Sequence, residues 1–199
     1  MAAEVFILGC LDHAKDFGEE DLLVSFEIIC GPLWEQVTGT NAAQTSVTKK
    51  NPYSGFHTWL HPIDVHYSAQ CIQGWPKIVT RVWQIDKYGR KDFVGYGMAH
   101  VPLPTPLTSA SQISTTRLAM NSIVKVEVWK PMRWTQSFWT NAVQYLRQVV
   151  MGGAPRLKND SLVHTSEGRY KLYSSSGGTL IFKLNVLCKN FGNLAIAVE

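Results

Sequence analysis

The segment KIVTRVWQI at residues 77–85 decides the fold class. Successive side chains of a β-strand point to opposite faces of the sheet, so this segment divides into two regular sets. One face carries Ile78, Thr80, Val82 and Gln84, and the other carries Val79, Arg81, Trp83 and Ile85. Both sets are rich in the β-branched and aromatic residues that favour strands. We therefore predict a regular strand in a β-rich domain.

Seven further segments predict strands, and one predicts a helix. The other predicted strands are 3–11, 22–30, 44–48, 56–67, 93–101, 123–129 and 179–188. By contrast, the stretch from Ser137 to Met151 has apolar residues at helical spacing and is followed by Gly152-Gly153, which stops a helix. This helix would pack on the sheet or face a partner. The elements together predict an antiparallel β-sandwich of about eight strands with one inserted α-helix near 137–151.

Length and composition favour a single folded domain. The chain has 199 residues, of which 45% are hydrophobic and 17% charged, so it has the composition of a globular protein. Neither half shows a complete core of its own. We therefore interpret the stretch near 102–116, which is rich in Pro, Ser and Thr, as a long surface loop within one domain spanning 1–199.

Charge and cysteine usage narrow the classes of partner and compartment. The net charge is +4 and no run of Lys or Arg exceeds two residues, so we predict no nucleic-acid partner. The same net charge is compatible with weak attraction of the protein to anionic membrane lipid, which we keep as an alternative. The four cysteines are far apart, no signal peptide precedes the first strand, and no segment has the ~20 apolar residues of a membrane span. We expect a cytoplasmic setting.

No catalytic motif is recognisable. The chain lacks a G-x-S-x-G elbow, a P-loop and a dinucleotide fingerprint. The most metal-like string is His61-Pro62-Ile63-Asp64-Val65-His66, but on a strand His61 points to the face opposite Asp64 and His66. We therefore predict a protein that is not an enzyme, and a metal-dependent enzyme using these three residues is the less favoured hypothesis.

One acidic pattern resembles a calcium site. The segment from Val82 to Gly95 resembles the calcium-loop segment of C2 domains, where Asp86 and Asp92 match two carboxylate positions and Gln84 replaces a third. The stretch from Asp16 to Asp21 is similar to the other calcium loop of C2 domains, but the spacing between its acidic residues is one residue shorter than in that loop. Calcium prefers six to eight oxygen ligands, several of them anionic. We interpret Asp16, Asp21, Asp86 and Asp92 as vestigial calcium loops and expect no cofactor, with calcium alone left open.

A more specific resemblance covers nearly the whole chain. The motifs that carry it, in order, are His61-Pro62-Ile63-Asp64-Val65-His66-Tyr67, Gln73-Gly74-Trp75-Pro76-Lys77-Ile78, Tyr88-Gly89-Arg90 and Gly95-Tyr96-Gly97-Met98-Ala99-His100-Val101-Pro102. Their order and spacing resemble those of the B9-domain family. The flanking segments 151–157, 169–173, 177–179 and 188–191 extend the likeness, which runs from about Val5 to Phe191.

The resemblance implies a C2-like β-sandwich that binds other molecules. It implies a scaffold or adapter of the Meckel syndrome complex in the ciliary transition zone, next to the basal body and the cytoskeleton. Its partners would be other B9-domain proteins and further members of that complex, which supports ciliogenesis and the diffusion gate of the ciliary membrane. The alternative is a peripheral module that binds phospholipid, with or without calcium. The partner-binding residues are not assigned at this stage; we interpret Gly74-Trp75-Pro76, Gly95 and Gly97 as fold devices.

Overall fold

The computed structural model describes residues 2–104, 116–132, 143, 155–165 and 172–191. The strands are β1 (Ala3–Lys15), β2 (Asp21–Ile29), β3 (Trp34–Gly39), β4 (Ala42–Gln44), β5 (His57–Ala69), β6 (Lys77–Ile85), β7 (Lys91–His100), β8 (Thr116–Met132) and β9 (Tyr173–Lys189). A 3₁₀ helix spans Asp160–Val163. The predicted helix near 137–151 and the predicted loop near 102–116 lie outside the described residues, apart from Val143 and the two ends of the loop.

The nine strands form one antiparallel sheet in the order β3-β5-β1-β9-β8-β7-β6-β2-β4. The sheet curls so that β2 faces β9 and β5 across the core. The rings of Phe26 in β2 and Phe182 in β9 meet edge to face with centroids 5.9 Å apart, and His61 in β5 approaches Phe26 in the same way. A sheet that folds over on its own apolar face has the layering of a sandwich, so the predicted mostly antiparallel β fold is confirmed.

Alternation along each strand decides which residues enter the core, and β6 is covered on both of its faces. Ile78, Thr80 and Val82 are buried between the layers. On the outer face, Val79 joins a second cluster with Phe93, Tyr96 and Val163, under the segment 155–165. This double burial explains why both faces of the segment 77–85 are rich in apolar residues.

The prediction is least accurate between residues 34 and 48. β3 has no predicted counterpart, and the strand predicted at 44–48 overlaps β4 only at Gln44, while Thr48 makes an isolated bridge with Leu22. Every residue of β3 after Trp34 is exposed, so the strand has no buried face and no alternating pattern from which it could be recognised. Among the described residues, no helix has the length and apolar character required to cross a lipid bilayer.

Candidate interaction surface

Among the described residues, two sets of turns at opposite ends of the sandwich differ sharply in charge. One end is built from segments 30–34, 70–76 and 101–104, which contain no Asp, Glu, Lys or Arg; we name these residues the charge-free end. The opposite end is built from segments 15–21, 45–57 and 86–92, which carry six acidic and six basic side chains; we name these residues the charged end. Because cores of protein interfaces are depleted of charged residues, the charge-free end is the first candidate for a binding surface.

Main-chain hydrogen bonds join the three segments of the charge-free end. The Gly31 N–H donates to the Gly74 carbonyl with an N–O distance of 2.8 Å, and the Val101 N–H donates to the Pro76 carbonyl at 3.0 Å. The Trp75 indole N–H donates to the Val101 carbonyl at 2.8 Å. The turn after β2, the turn before β6 and the chain after β7 are therefore held as one unit.

A contact between two glycines sets the spacing within this unit. Gly74 has a φ of 75°, in the left-handed region that favours glycine. A Cβ on Gly74 would lie against the Gly31 Cα and 2.7 Å from the Gly31 backbone nitrogen, and a Cβ on Gly31 would lie 2.8 Å from the Gly74 Cα. The two turns approach this closely because neither residue has a side chain.

Aromatic rings fill the space beneath the two turns. Trp34 and Trp75 meet edge to face with centroids 5.4 Å apart, and Phe191 packs against Trp75 at 6.2 Å. The Trp34 indole N–H donates to the Gln73 carbonyl at 2.8 Å, so its one polar group is satisfied. Large rings with satisfied donors make this end a rigid platform.

Three aliphatic side chains project from the platform into solvent. Leu33, Ile72 and Leu103 are 49%, 42% and 58% exposed, and each comes from a different one of the three segments. A cavity of about 320 Å³ opens beside Leu33. Its lining residues are Pro32, Leu33, Trp34, Glu35, Ser68 and Gln70. Patches of exposed apolar side chains often mark sites of protein interaction.

Cys30, at the start of the first segment, lies in surroundings that disfavour its charged form. Burial raises the pKa of the Cys30 thiol to about 11, and burial likewise raises the pKa of the nearby Tyr67 hydroxyl. Charged side chains surround these segments, with Glu35 and Lys77 at their borders and Glu4 and Lys189 on the neighbouring strands β1 and β9. An uncharged centre inside a polar rim is the arrangement found in protein interfaces.

The predicted calcium loops lie together at the charged end. Asp21 pairs with Ile85 across the β2–β6 ladder, so the turn that begins at Asp16 is a neighbour of Asp86. Asp92 pairs with Gln84 across β6 and β7. Asp16 has a φ of 62° and turns the chain out of β1. The two predicted loops are therefore neighbours at one end of the sheet.

The Asp86 carboxylate is hydrogen-bonded to residues of the turn that follows it. Its Oδ1 accepts hydrogen bonds from the Tyr88 N–H at 2.8 Å and the Arg90 N–H at 2.9 Å, and its Oδ2 accepts from the Arg90 Nε at 2.8 Å. The hydrogen bond from the Arg90 backbone N–H, with help from the Arg90 guanidinium, lowers the pKa of Asp86 below its usual value. In the part of the chain that the structure describes, no group of three or more His, Cys, Asp or Glu side chains is placed to hold a metal ion.

The histidine string does not converge on one point. His61 approaches Phe26 across the core, while His66 stacks on Phe6 with ring centroids 4.0 Å apart. His66 Nε2 lies 3.9 Å from the Glu4 carboxylate. The two histidines serve different faces of β5, as strand alternation predicts.

Sequence reasoning identified the frame of the charge-free end but not its exposed residues. Gly74, Trp75 and Val101 belong to motifs that were singled out, and here they hold the three segments together. Leu33, Ile72 and Leu103 were not singled out. The signal that could have found them is the shared absence of charge in three separate turns.

Known proteins similar to this chain were found by comparison. The family described as "Ciliary basal body-associated, B9 protein" matches residues 5–187. B9 domain-containing protein 2 of Homo sapiens is 30% identical over 195 residues, covering 98% of each chain, and that of Xenopus laevis is 32% identical over 190 residues, covering 95% of each. B9 domain-containing protein 1 of Xenopus laevis is 25% identical over 195 residues, covering 96% of this chain and 88% of its own.

Proposed function

The chain belongs to the B9 family of ciliary basal body-associated proteins, and we propose from this that it is a non-enzymatic scaffold that binds other B9-domain proteins in the ciliary transition zone. B9-domain proteins are not known as an enzyme family. The observation that carries the proposal is the charge-free end, with three exposed aliphatic side chains on a rigid aromatic platform. Through such contacts the chain would support ciliogenesis and the diffusion gate of the ciliary membrane.

Burial of the exposed aliphatic groups supplies the driving force for this binding. Full burial of a leucine or isoleucine side chain stabilises by about 1.5–3 kcal/mol, and Leu33, Ile72 and Leu103 are each about half-exposed. Each therefore has roughly 1 kcal/mol to contribute on docking. The platform is already ordered by its hydrogen bonds, so little further ordering opposes association.

Co-purification with a second B9-domain protein tests this function. We expect the two chains, co-expressed, to elute together from a sizing column in a fixed ratio. In a ciliated cell, a fluorescently tagged chain is expected at the base of the cilium. Recovery of the tagged chain from ciliated cells as a lone monomer, or a signal elsewhere in the cell, would count against the proposal.

Binding of calcium or anionic lipid is the second candidate function, and exposed aromatic side chains favour it. Tyr53 and Tyr88 are exposed on two loops of the charged end, where their rings could contact a membrane surface. Charge opposes it, because acidic and basic residues are equal in number there and no net attraction to an anionic surface results. Asp86, one of the two residues that match calcium-ligand positions, already accepts three hydrogen bonds.

We therefore expect no calcium binding at micromolar concentration and no calcium-dependent binding to membranes. Isothermal calorimetry measures the first, and co-sedimentation with phosphatidylserine vesicles, with calcium added or chelated, measures the second. Asp86→Asn serves as the comparison, since it should leave both results unchanged while weakening the turn at 86–90. Micromolar calcium affinity that Asp86→Asn removes would reverse this expectation.

A further inference from the structure

β3 is an unusual edge strand. It lies at one end of the sheet order and, among the described residues, it pairs only with β5. Residues 35–39 are exposed on both faces of the strand. One side of its backbone therefore presents main-chain donors and acceptors to solvent, with the spacing that another strand would match.

β3 has few of the features that normally protect a free edge. Such edges usually carry lysine or proline, or are very short. The six residues of β3, WEQVTG, include neither lysine nor proline, and only Glu35 and a bulge at Val37 interrupt the edge. The opposite edge strand, β4, has only three residues, and the chain after it continues to bond β2 through Thr45 and Thr48.

β3 is also held in place before any partner arrives. Trp34 anchors its first residue in the core, and the Gln36 side-chain N–H donates to the Gly39 carbonyl at 2.7 Å. Gly39 has a φ of 88° and rests against the Asp64 carbonyl, where a Cβ would not fit. A strand fixed at both ends loses little conformational freedom on pairing, which favours addition of another strand.

The free edge is continuous with the charge-free end. Leu33 directly precedes β3, and the cavity of about 320 Å³ beside it is lined by both Trp34 and Glu35 of the strand. We propose that β3 pairs with an extended strand of the partner polypeptide, which places one of its side chains in this cavity, between Leu33 and Trp34 on one side and the polar groups of Glu35, Ser68 and Gln70 on the other. Main-chain bonds would supply affinity and the cavity would supply selectivity, as in other cases of strand addition. The inference rests on the proposed function, because it names how the B9-domain partner docks.

Hydrogen exchange and one pair of variants test the inference in the complex with a second B9-domain protein. The amides of residues 34–39 are expected to exchange more slowly in the complex than in the free chain. Val37→Lys places a charged side chain on the edge strand, which discourages pairing with another strand, and it is expected to weaken binding at least tenfold. Val47→Lys makes the same change at a similarly exposed valine of the charged end and should stay within about twofold of the unchanged chain. Both variants should keep the original Tm.

The outcomes separate the inference from the function on which it rests. If the complex forms but Val37→Lys binds normally and the β3 amides are unprotected, strand addition is wrong and the scaffold role stands. If the unchanged chain forms no complex, both fail. Protection of β3 in the free chain that grows with its concentration would indicate a second copy as the occupant. Protection that is lost in a variant ending at Phe191 would indicate the chain's own residues 192–199. Either result would overturn the assignment to a partner.

Discussion

Gly74→Ala is expected to lower the free energy of unfolding by about 3 kcal/mol. Two effects add at this position. An alanine at a φ of 75° is strained by roughly 1–2 kcal/mol, because the left-handed region crowds its Cβ. That Cβ would also meet the backbone of Gly31, which belongs to the other turn and cannot rotate away. The two turns must then separate, and the hydrogen bond from Gly31 to Gly74 is lost.

Gly89→Ala is the matched control, because it puts an alanine at the same left-handed backbone conformation but brings its Cβ against no other backbone. Gly89 has a φ of 76°, and among the described residues no atom beyond its chain neighbours lies within 4 Å of the new Cβ. We expect it to destabilise the chain by only about 1–2 kcal/mol. Urea unfolding of both variants gives the difference, and the corresponding falls in Tm are about 6–12 °C and 2–8 °C. Equal losses would show that the contact between Gly31 and Gly74 does not hold the charge-free end together.

The fold could be predicted largely because most strands have one buried face. The segment 77–85 is recovered with its bounds unchanged as β6, although both of its faces are covered, because each face carries its own set of residues suited to a strand. β9 extends a predicted segment, and its buried residues from Phe182 to Cys188 alternate with more exposed ones. Burial of one face imposes a period of two on the sequence, and that period is visible without a structure.

β3 escaped prediction for the same physical reason. A strand exposed on both faces has no period, and only its pairing with β5 reveals it. The charge-free end escaped because it is assembled from three turns that are far apart in the chain. Gly31, Gly74 and Val101 carry the contacts that unite it, and each contact depends on the curled sheet bringing its turns together. Local patterns suggested where the chain turns, but could not show which turns meet.

The predicted calcium loops illustrate a different limit, in which a local pattern singles out residues but does not show their hydrogen bonds. In the structure Asp86 begins a turn, in which the Gly89 N–H donates to the Asp86 carbonyl at 2.9 Å. What the spacing did not show is that Tyr88 and Arg90 donate to its carboxylate. Hydrogen-bond geometry, unlike strand alternation, depends on the turn conformation, and many turns share the same spacing of residues.

Simultaneous replacement of Leu33, Ile72 and Leu103 by aspartate is expected to weaken binding to a second B9-domain protein at least 100-fold. The aliphatic contacts are lost, and each new carboxylate would be buried against an apolar partner without a counter-charge. A 100-fold change corresponds to about 2.7 kcal/mol. The losses from the three single substitutions would total more than this if they added, but the effects of neighbouring substitutions seldom add fully. The side chains are about half-exposed in the free chain, so its Tm should change little.

A second triple variant separates the place of these charges from their number. Leu8→Asp, Leu60→Asp and Ile123→Asp change three similarly exposed aliphatic side chains that lie outside the charge-free end. Both triple variants lower the formal net charge from +4 to +1, so long-range electrostatic effects on the partner are matched. Calorimetric titration with the same partner should show near-normal affinity for this control. If the control loses binding and the first variant does not, the exposed outer residues of β1, β5 and β8 form the docking surface, and the charge-free end does not.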